Sequence, residues 1–181
     1  MTLDEFLAWD GGGHVGKLEL VEGRVRAMAP ASASHSLIQA NIVRRIGNHL
    51  SDSGSTCRVA TEAPIVPVMG RRKNARAPDV AVTCAPVTDS PTFDDPVLIV
   101  EVMSPNNESD TWETIEVLLG LPTMREVLVV WSTRVEAEVF RRDTRGYWPS
   151  LGLIERGGAV QLASIDLELP IEALYEGTHL A

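Results

Sequence analysis

Cysteine is scarce in this chain of 181 residues: only Cys57 and Cys84 are present. Their spacing matches no metal-binding pattern, which argues against a zinc site, and two buried thiols in a reducing cytoplasm are expected. Long apolar runs are also missing. None approaches the roughly twenty residues that span a bilayer, so no membrane partner is expected. The opening residues, Met1 to Phe6, carry Asp4 and Glu5 and lack the basic region and apolar core of a signal peptide, which again points to the cytoplasm. Positive charge is in deficit. A formal net charge of −9 excludes a protein that coats nucleic acid, because phosphate binding needs accumulated Lys and Arg. Any contact with nucleic acid must therefore be local. No internal repeat or low-complexity linker breaks the chain, so residues 1–181 are expected to form one domain. A chain of this length buries roughly two thirds of its unfolded surface. Apolar residues at 44% and charged residues at 23% describe a globular protein, although aromatic residues supply only 5%.

The apolar residues that are present fall into short, readable periods. Residues 3 to 8 predict a short amphipathic helix, and Gly11-Gly12-Gly13 a flexible break. "KLELVEGRVRAMAP" reads as a β-hairpin turning at Glu22-Gly23. Ile38, Ile42, Ile46 and Leu50 recur every four places, predicting a helix from Ser34 to about Leu50 with one buried stripe. "CRVAT", "APIVPV", "DVAVT", "VLIVEV", "EVLVVW" and "EAEVF" read as strands. A second helix is expected from Asp110 to about Leu119, with Asp110 and Glu113 as a capping box. The stretch after it, "LGLPTMREVLVVW", reads as a crossover returning beside "VLIVEV". The fold class is α+β, a mixed central sheet flanked by helices. Trp112 and Trp131 are expected to anchor the core or an interface rather than stack on bases, and Arg141 to Pro149 to form a hairpin turn with exposed arginines.

One carboxylate stands out. Val97 to Val102 has the pattern of a central strand covered on both faces, yet it contains Glu101. An ionised carboxylate there costs several kcal/mol unless a cation or a hydrogen-bond network compensates it. Asp79 poses the same problem at the start of "DVAVT". If the two strands are neighbours, both carboxylates converge at one end of the sheet. Two hard oxygen anions with few other ligands suit Mg2+ or Mn2+, and such an ion suits phosphodiester hydrolysis. The alternative is structural, with Asp79 merely opening a strand and Glu101 paired to an arginine such as Arg125. "GRRKNARAPD" offers local positive charge through Arg71, Arg72, Lys73 and Arg76, unless it is only a solvated basic loop.

"KLELVEGRVRAMAPASASH", "APDVAV", "LIVEVMSPNNESDT", "LPTMREVLVVW" and "LPIEALYEGT", in this order, resemble the Uma family, a bacterial branch of the PD-(D/E)-x-K restriction-endonuclease-like superfamily. The likeness runs from about Leu18 to Thr178. It implies a restriction-endonuclease-like core and a metal-dependent DNA endonuclease, with Asp79 and Glu101 as ligands of Mg2+ or Mn2+ and Glu19, ahead of its neighbour Glu22, as a further acidic catalytic residue. It places His35 on a recurrent family position, either in substrate binding or as a helix-start imidazole bonded to backbone. Lys73 and Arg76, in the basic loop, are the candidate DNA contacts. Cutting both strands of a duplex implies a homodimer.

The same resemblance exposes a departure. The superfamily places a lysine two residues after the acidic position, where Met103 stands, and Uma relatives supply one from the following helix, where Thr114 stands. Neither Lys17 nor Lys73 belongs to this part of the motif, which leaves Lys73 or an arginine of the basic loop as the cation able to reach in. Two functions stay open: an endonuclease, or a catalytically degenerate nuclease fold serving as a binding or assembly module.

Overall fold

The computed structural model describes residues 1–14 and 16–181. Ten strands are present among them: β1 (Leu18–Val21), β2 (Arg24–Ala27), β3 (Arg58–Thr61), β4 (Val80–Thr83), β5 (Pro96–Met103), β6 (Glu126–Trp131), β7 (Ala137–Arg141), β8 (Leu153–Glu155), β9 (Ala159–Leu162) and β10 (Leu167–Pro170). Three α-helices accompany them: α1 (Leu3–Leu7), α2 (Ala33–Asp52) and α3 (Glu108–Leu119). The central sheet runs β3-β4-β5-β6-β7-β8. Only β5 and β6 are parallel, joined through α3 as the crossover pattern predicts. The fold is mixed α+β.

β5 is buried at all eight positions because both faces of the sheet are covered. Leu98, Val100 and Val102 meet the α2 stripe of Ile38, Ile42, Ile46 and Leu50. On the opposite face Ile99 and Met103 meet Ile115 and Leu118 of α3. Each such side chain contributes about 1.5–3 kcal/mol of transfer free energy, which ties β5 to both helices. Trp112 packs against the α3-side core and meets the ring of Phe140 edge-on at 5.9 Å. Trp131 packs there too, under the guanidinium of Arg134.

The β1–β2 hairpin turns on Glu22 and Gly23, whose φ angles of 47° and 80° fit a two-residue turn of the primed type. It docks on the rest of the molecule through a bridge between Leu20 and Ala75, with Leu20 fully buried. That bridge is what brings the hairpin to the end of the sheet where β4 begins.

Several sequence expectations fail here for identifiable reasons. "APIVPV" is not a strand: Pro64 and Pro67 cannot donate to a ladder, and only Ile65 makes an isolated bridge, to Arg76. α3 starts earlier than predicted, with Asn107 at its N-cap and no side-chain cap. Asp110 and Glu113 do not cap it; they bind Arg26 instead, at 3.2 and 2.7 Å.

Cys57 and Cys84 are not free thiols but a disulfide. They directly follow the Arg58–Thr83 pair of the β3–β4 ladder, so register makes neighbours of residues 27 apart in sequence. On the loop-closure account a bridge of this span contributes about 3–4 kcal/mol. Reduction, or the Cys57→Ser/Cys84→Ser variant, is therefore expected to lower the urea midpoint by that equivalent, read by tryptophan fluorescence. An unchanged midpoint would show that the β3–β4 ladder holds without it. Among the described residues no helix is long and apolar enough to cross a membrane.

Candidate active site

Asp79 and Glu101 follow the Val80–Val100 pair of the antiparallel β4–β5 ladder, so their backbones face each other where β4 begins. Alternation along β5 puts Glu101 on the same side as Ile99, while Asp79 lies just before β4, within reach of His35 of α2. There they line a cavity of about 660 Å3, together with Lys17, His35, Ser104 and Ser132.

Asp79 is pinned from several sides. Its Oδ2 accepts from the Val102 amide at 2.8 Å and lies 3.3 Å from His35 Nε2. Its Oδ1 accepts from Lys17 Nζ at 3.0 Å. Its own carbonyl accepts from Gln39 Nε2 at 2.8 Å. Burial alone would raise the Asp79 pKa, but His35, Lys17 and the Val102 amide outweigh it and hold the carboxyl well below the usual range.

Glu101 is the opposite case. It is 3% exposed, and among the described residues its side chain has one hydrogen bond, a 3.5 Å contact from the Asp79 amide. Burial, followed by the neighbouring Asp79 charge, pushes its pKa well up, with Lys17 acting against them. No salt bridge joins Glu101 to an arginine among the described residues, so the pairing with Arg125 is absent.

Lys17 is the cation that sequence reasoning assigned elsewhere. Burial would lower its pKa, but Glu101 and Asp79 raise the ammonium above its ordinary value. It reaches the site from the residue preceding β1, on the hairpin, rather than from β5 or α3. Lys17 lies two residues from Glu19, on the same side of an alternating stretch, but its reach to Asp79 is set by how the hairpin docks through Leu20 and Ala75.

His35 sits in the first turn of α2, where the Ser32 side chain accepts its backbone N–H at 3.2 Å. Its ring is not bonded to backbone. Nδ1 meets Ser104 Oγ at 3.2 Å while Nε2 faces Asp79.

The other expected site residues do not line the cavity, although the Glu19 charge still acts on Lys17 and Glu101. Glu19 is 1% exposed and outside the cavity lining. It accepts from Arg26 at 2.7 Å and from the Ala77 amide at 3.0 Å. Thr114 Oγ1 is 3.4 Å from both Glu19 oxygens, so the guanidinium of Arg26 supplies the charge beside Glu19 that a hydroxyl cannot. Arg76 is not a loop residue offered to substrate: it is buried, donating to Leu20 O at 3.1 Å and to Glu113 at 2.8 Å. Lys73 is exposed, but it does not line the cavity. Met103 is buried in the α3-side core, away from polar chemistry.

Among the described residues no three His, Cys, Asp or Glu side chains form a ready metal cage. The pair Asp79 and Glu101 nevertheless fits a hard divalent cation. Two buried carboxylates face one ammonium, one of them is nearly without hydrogen bonds, and the cavity leaves room for the waters that Mg2+ retains.

A family model described as "Uma2: Putative restriction endonuclease" matches residues 3–172, nearly the whole chain. The chain belongs to the Uma2 family. An uncharacterised Synechocystis protein is 29% identical over 180 residues, spanning 98% of the Uma2 chain and 92% of its own length. A crystal structure from Anabaena variabilis, described as "a putative nuclease belonging to DUF820", superposes with a TM-score of 0.75 at 19% identity, covering 97% of both chains. At that identity the superposition speaks for the fold, a mixed sheet with flanking helices.

Proposed function

We propose that this Uma2 protein is a Mg2+- or Mn2+-dependent endonuclease that hydrolyses phosphodiester bonds in DNA. The observation that carries the reading is the meeting of Asp79, Glu101 and Lys17 at one cavity, with one carboxylate fixed by three donors and the other left short of positive charge. Asp79 and Glu101 would hold the ion. When bound, it polarises a phosphoryl oxygen and makes water more acidic. Glu101 orients the attacking water. Lys17 locks the Asp79 carboxylate and places positive charge beside the cavity, where negative charge grows on the phosphoryl group. His35 fixes the second Asp79 oxygen and is itself held by Ser104. A homodimer would supply the two sites that a double-strand cut requires.

One specific observation favours a second reading, a degenerate nuclease fold acting as a binding or assembly module. Met103 is buried in a hydrophobic core and Thr114 carries no charge, so neither position supplies the superfamily's lysine. Plasmid DNA incubated with Mn2+ separates the two. The endonuclease reading expects nicking by the wild-type protein and about a hundredfold or greater loss in both Asp79→Ala and Glu101→Ala. Cleavage that is absent, or equal in all three proteins, would leave the module.

A further inference from the structure

At the other end of the β5–β6 pair lies a second cavity, of about 620 Å3, lined by Arg125, Arg141, Arg142 and Arg145 together with Glu126, Asp143 and Ser164. Glu126 opens β6 opposite Leu98, three residues upstream of Glu101, which at the rise of a strand is about 10 Å away. The two cavities share no lining residue. Four arginines against two carboxylates give a local charge of +2 in a chain of net charge −9.

The carboxylates neutralise only Arg141 among those arginines. Glu126 is fully occupied: Arg141 Nε donates to it at 2.6 Å, the Ala163 amide at 3.0 Å and the Ser164 amide at 2.6 Å. Asp143 closes the turn beneath, accepting the Arg145 and Tyr147 amides at 2.9 and 2.8 Å. Arg125, Arg142 and Arg145 have no salt-bridge partner among the described residues. Arg142 is held in place all the same. Its Nε donates to Gly146 O at 2.8 Å, and its Nη1 to Leu121 O and Pro122 O at 3.3 and 3.2 Å, leaving Nη2 available. Ser164 Oγ is buried with no hydrogen-bond partner among the described residues, an independent mark of a missing polar neighbour.

We propose that this cavity is a binding site for a phosphate-bearing anion, taken by the unpaired guanidinium groups of Arg125, Arg142 and Arg145 and by the Ser164 hydroxyl. Guanidinium forks match the oxygens of a phosphate, and a hydroxyl completes the donor set. The shared chemistry admits two sources, a free phosphate compound or the backbone of a nucleic acid. The site does not depend on the nuclease reading.

The test uses the whole chain in EDTA, so that cleavage plays no part. Inorganic phosphate is titrated calorimetrically against sodium chloride of matched ionic strength, and a fluorescein-labelled DNA duplex is titrated by anisotropy at several salt concentrations. The same measurements are made on Arg125→Gln/Arg145→Gln, both exposed positions, and on Ser164→Ala. Saturable phosphate binding that falls about tenfold or more in the arginine variant supports the proposal with a free anion as the source. DNA binding whose salt slope drops by about 2 in that variant supports it with the nucleic-acid backbone as the source. If neither probe binds, or both bind the variants as they bind the wild-type protein, the cavity is only a solvated arginine surface and the proposal falls.

Discussion

Lys17→Met is expected to lower Mn2+-dependent DNA cleavage by about two to three orders of magnitude, the usual cost of removing one preorganised donor from a developing anion. Lys17 Nζ lies 3.0 Å from Asp79 Oδ1, and its side chain is 13% exposed, so water replaces its charge poorly. The cost in stability runs the same way. Removing one partner of a buried pair leaves the other uncompensated, at about 3–5 kcal/mol, although His35 still supports Asp79. Lys17→Arg keeps the charge and separates the two effects: it is expected to restore the urea midpoint and only part of the rate, because a planar fork cannot reproduce the ammonium's position. Single-turnover cleavage of a labelled duplex, with circular dichroism as the folding control, reads both. Wild-type rates in Lys17→Met would remove the lysine from the chemistry and return the search for a cation to the arginines.

What was legible in advance is what short-range periodicity determines. The four-residue spacing of Ile38, Ile42, Ile46 and Leu50 gave α2, and Glu22-Gly23 gave the hairpin turn. The unbroken apolar run around Glu101 announced a strand covered on both faces, and with it the conflict that makes Glu101 informative. Lys17 was misassigned because its place depends on how the hairpin docks, through Leu20 and Ala75, fifty-five positions apart in the chain and invisible to any local pattern. The disulfide was hidden for the same reason, since only the β3–β4 register puts Cys57 beside Cys84. Arg76 reads as part of a basic loop because it shares the run "GRRKNARAPD" with Arg71, Arg72 and Lys73, and those three are exposed. The chain turns inward at Asn74, whose amide bonds Glu22 and Gly70, and carries Arg76 beneath the hairpin to Glu113. Asp110 and Glu113 had a cap's spacing but a better partner in Arg26, a guanidinium that answers two carboxylates of α3 and Glu19 together.

Glu101→Gln is expected to stabilise the metal-free protein at neutral pH, by about 1–3 kcal/mol, because the amide removes a buried, nearly unbonded charge from beside Asp79. The sign follows from the direction of the shift. The Glu101 pKa is raised in the folded state, so between the unfolded value of about 4.3 and the folded value the native protein binds more protons than the unfolded chain. Stability therefore falls as pH rises through that interval and stays low above it. Asp79 behaves in reverse. Its depressed pKa gives a stabilisation present above the unfolded value of about 3.9 and lost as pH falls through the folded one, so Asp79→Asn destabilises at neutral pH. Urea unfolding in EDTA from pH 4 to 8 should accordingly show a decline with pH in the wild-type protein that is shallower or absent in Glu101→Gln. Adding Mn2+ reverses the ranking. A cation held by both carboxylates removes the Glu101 penalty and adds binding energy, about 2.7 kcal/mol at a hundred times its dissociation constant, and the glutamine variant loses most of that gain. If Glu101→Gln is the less stable protein in EDTA at pH 7, or gains as much from Mn2+ as the wild type, then Glu101 is satisfied by the protein alone and is no ligand.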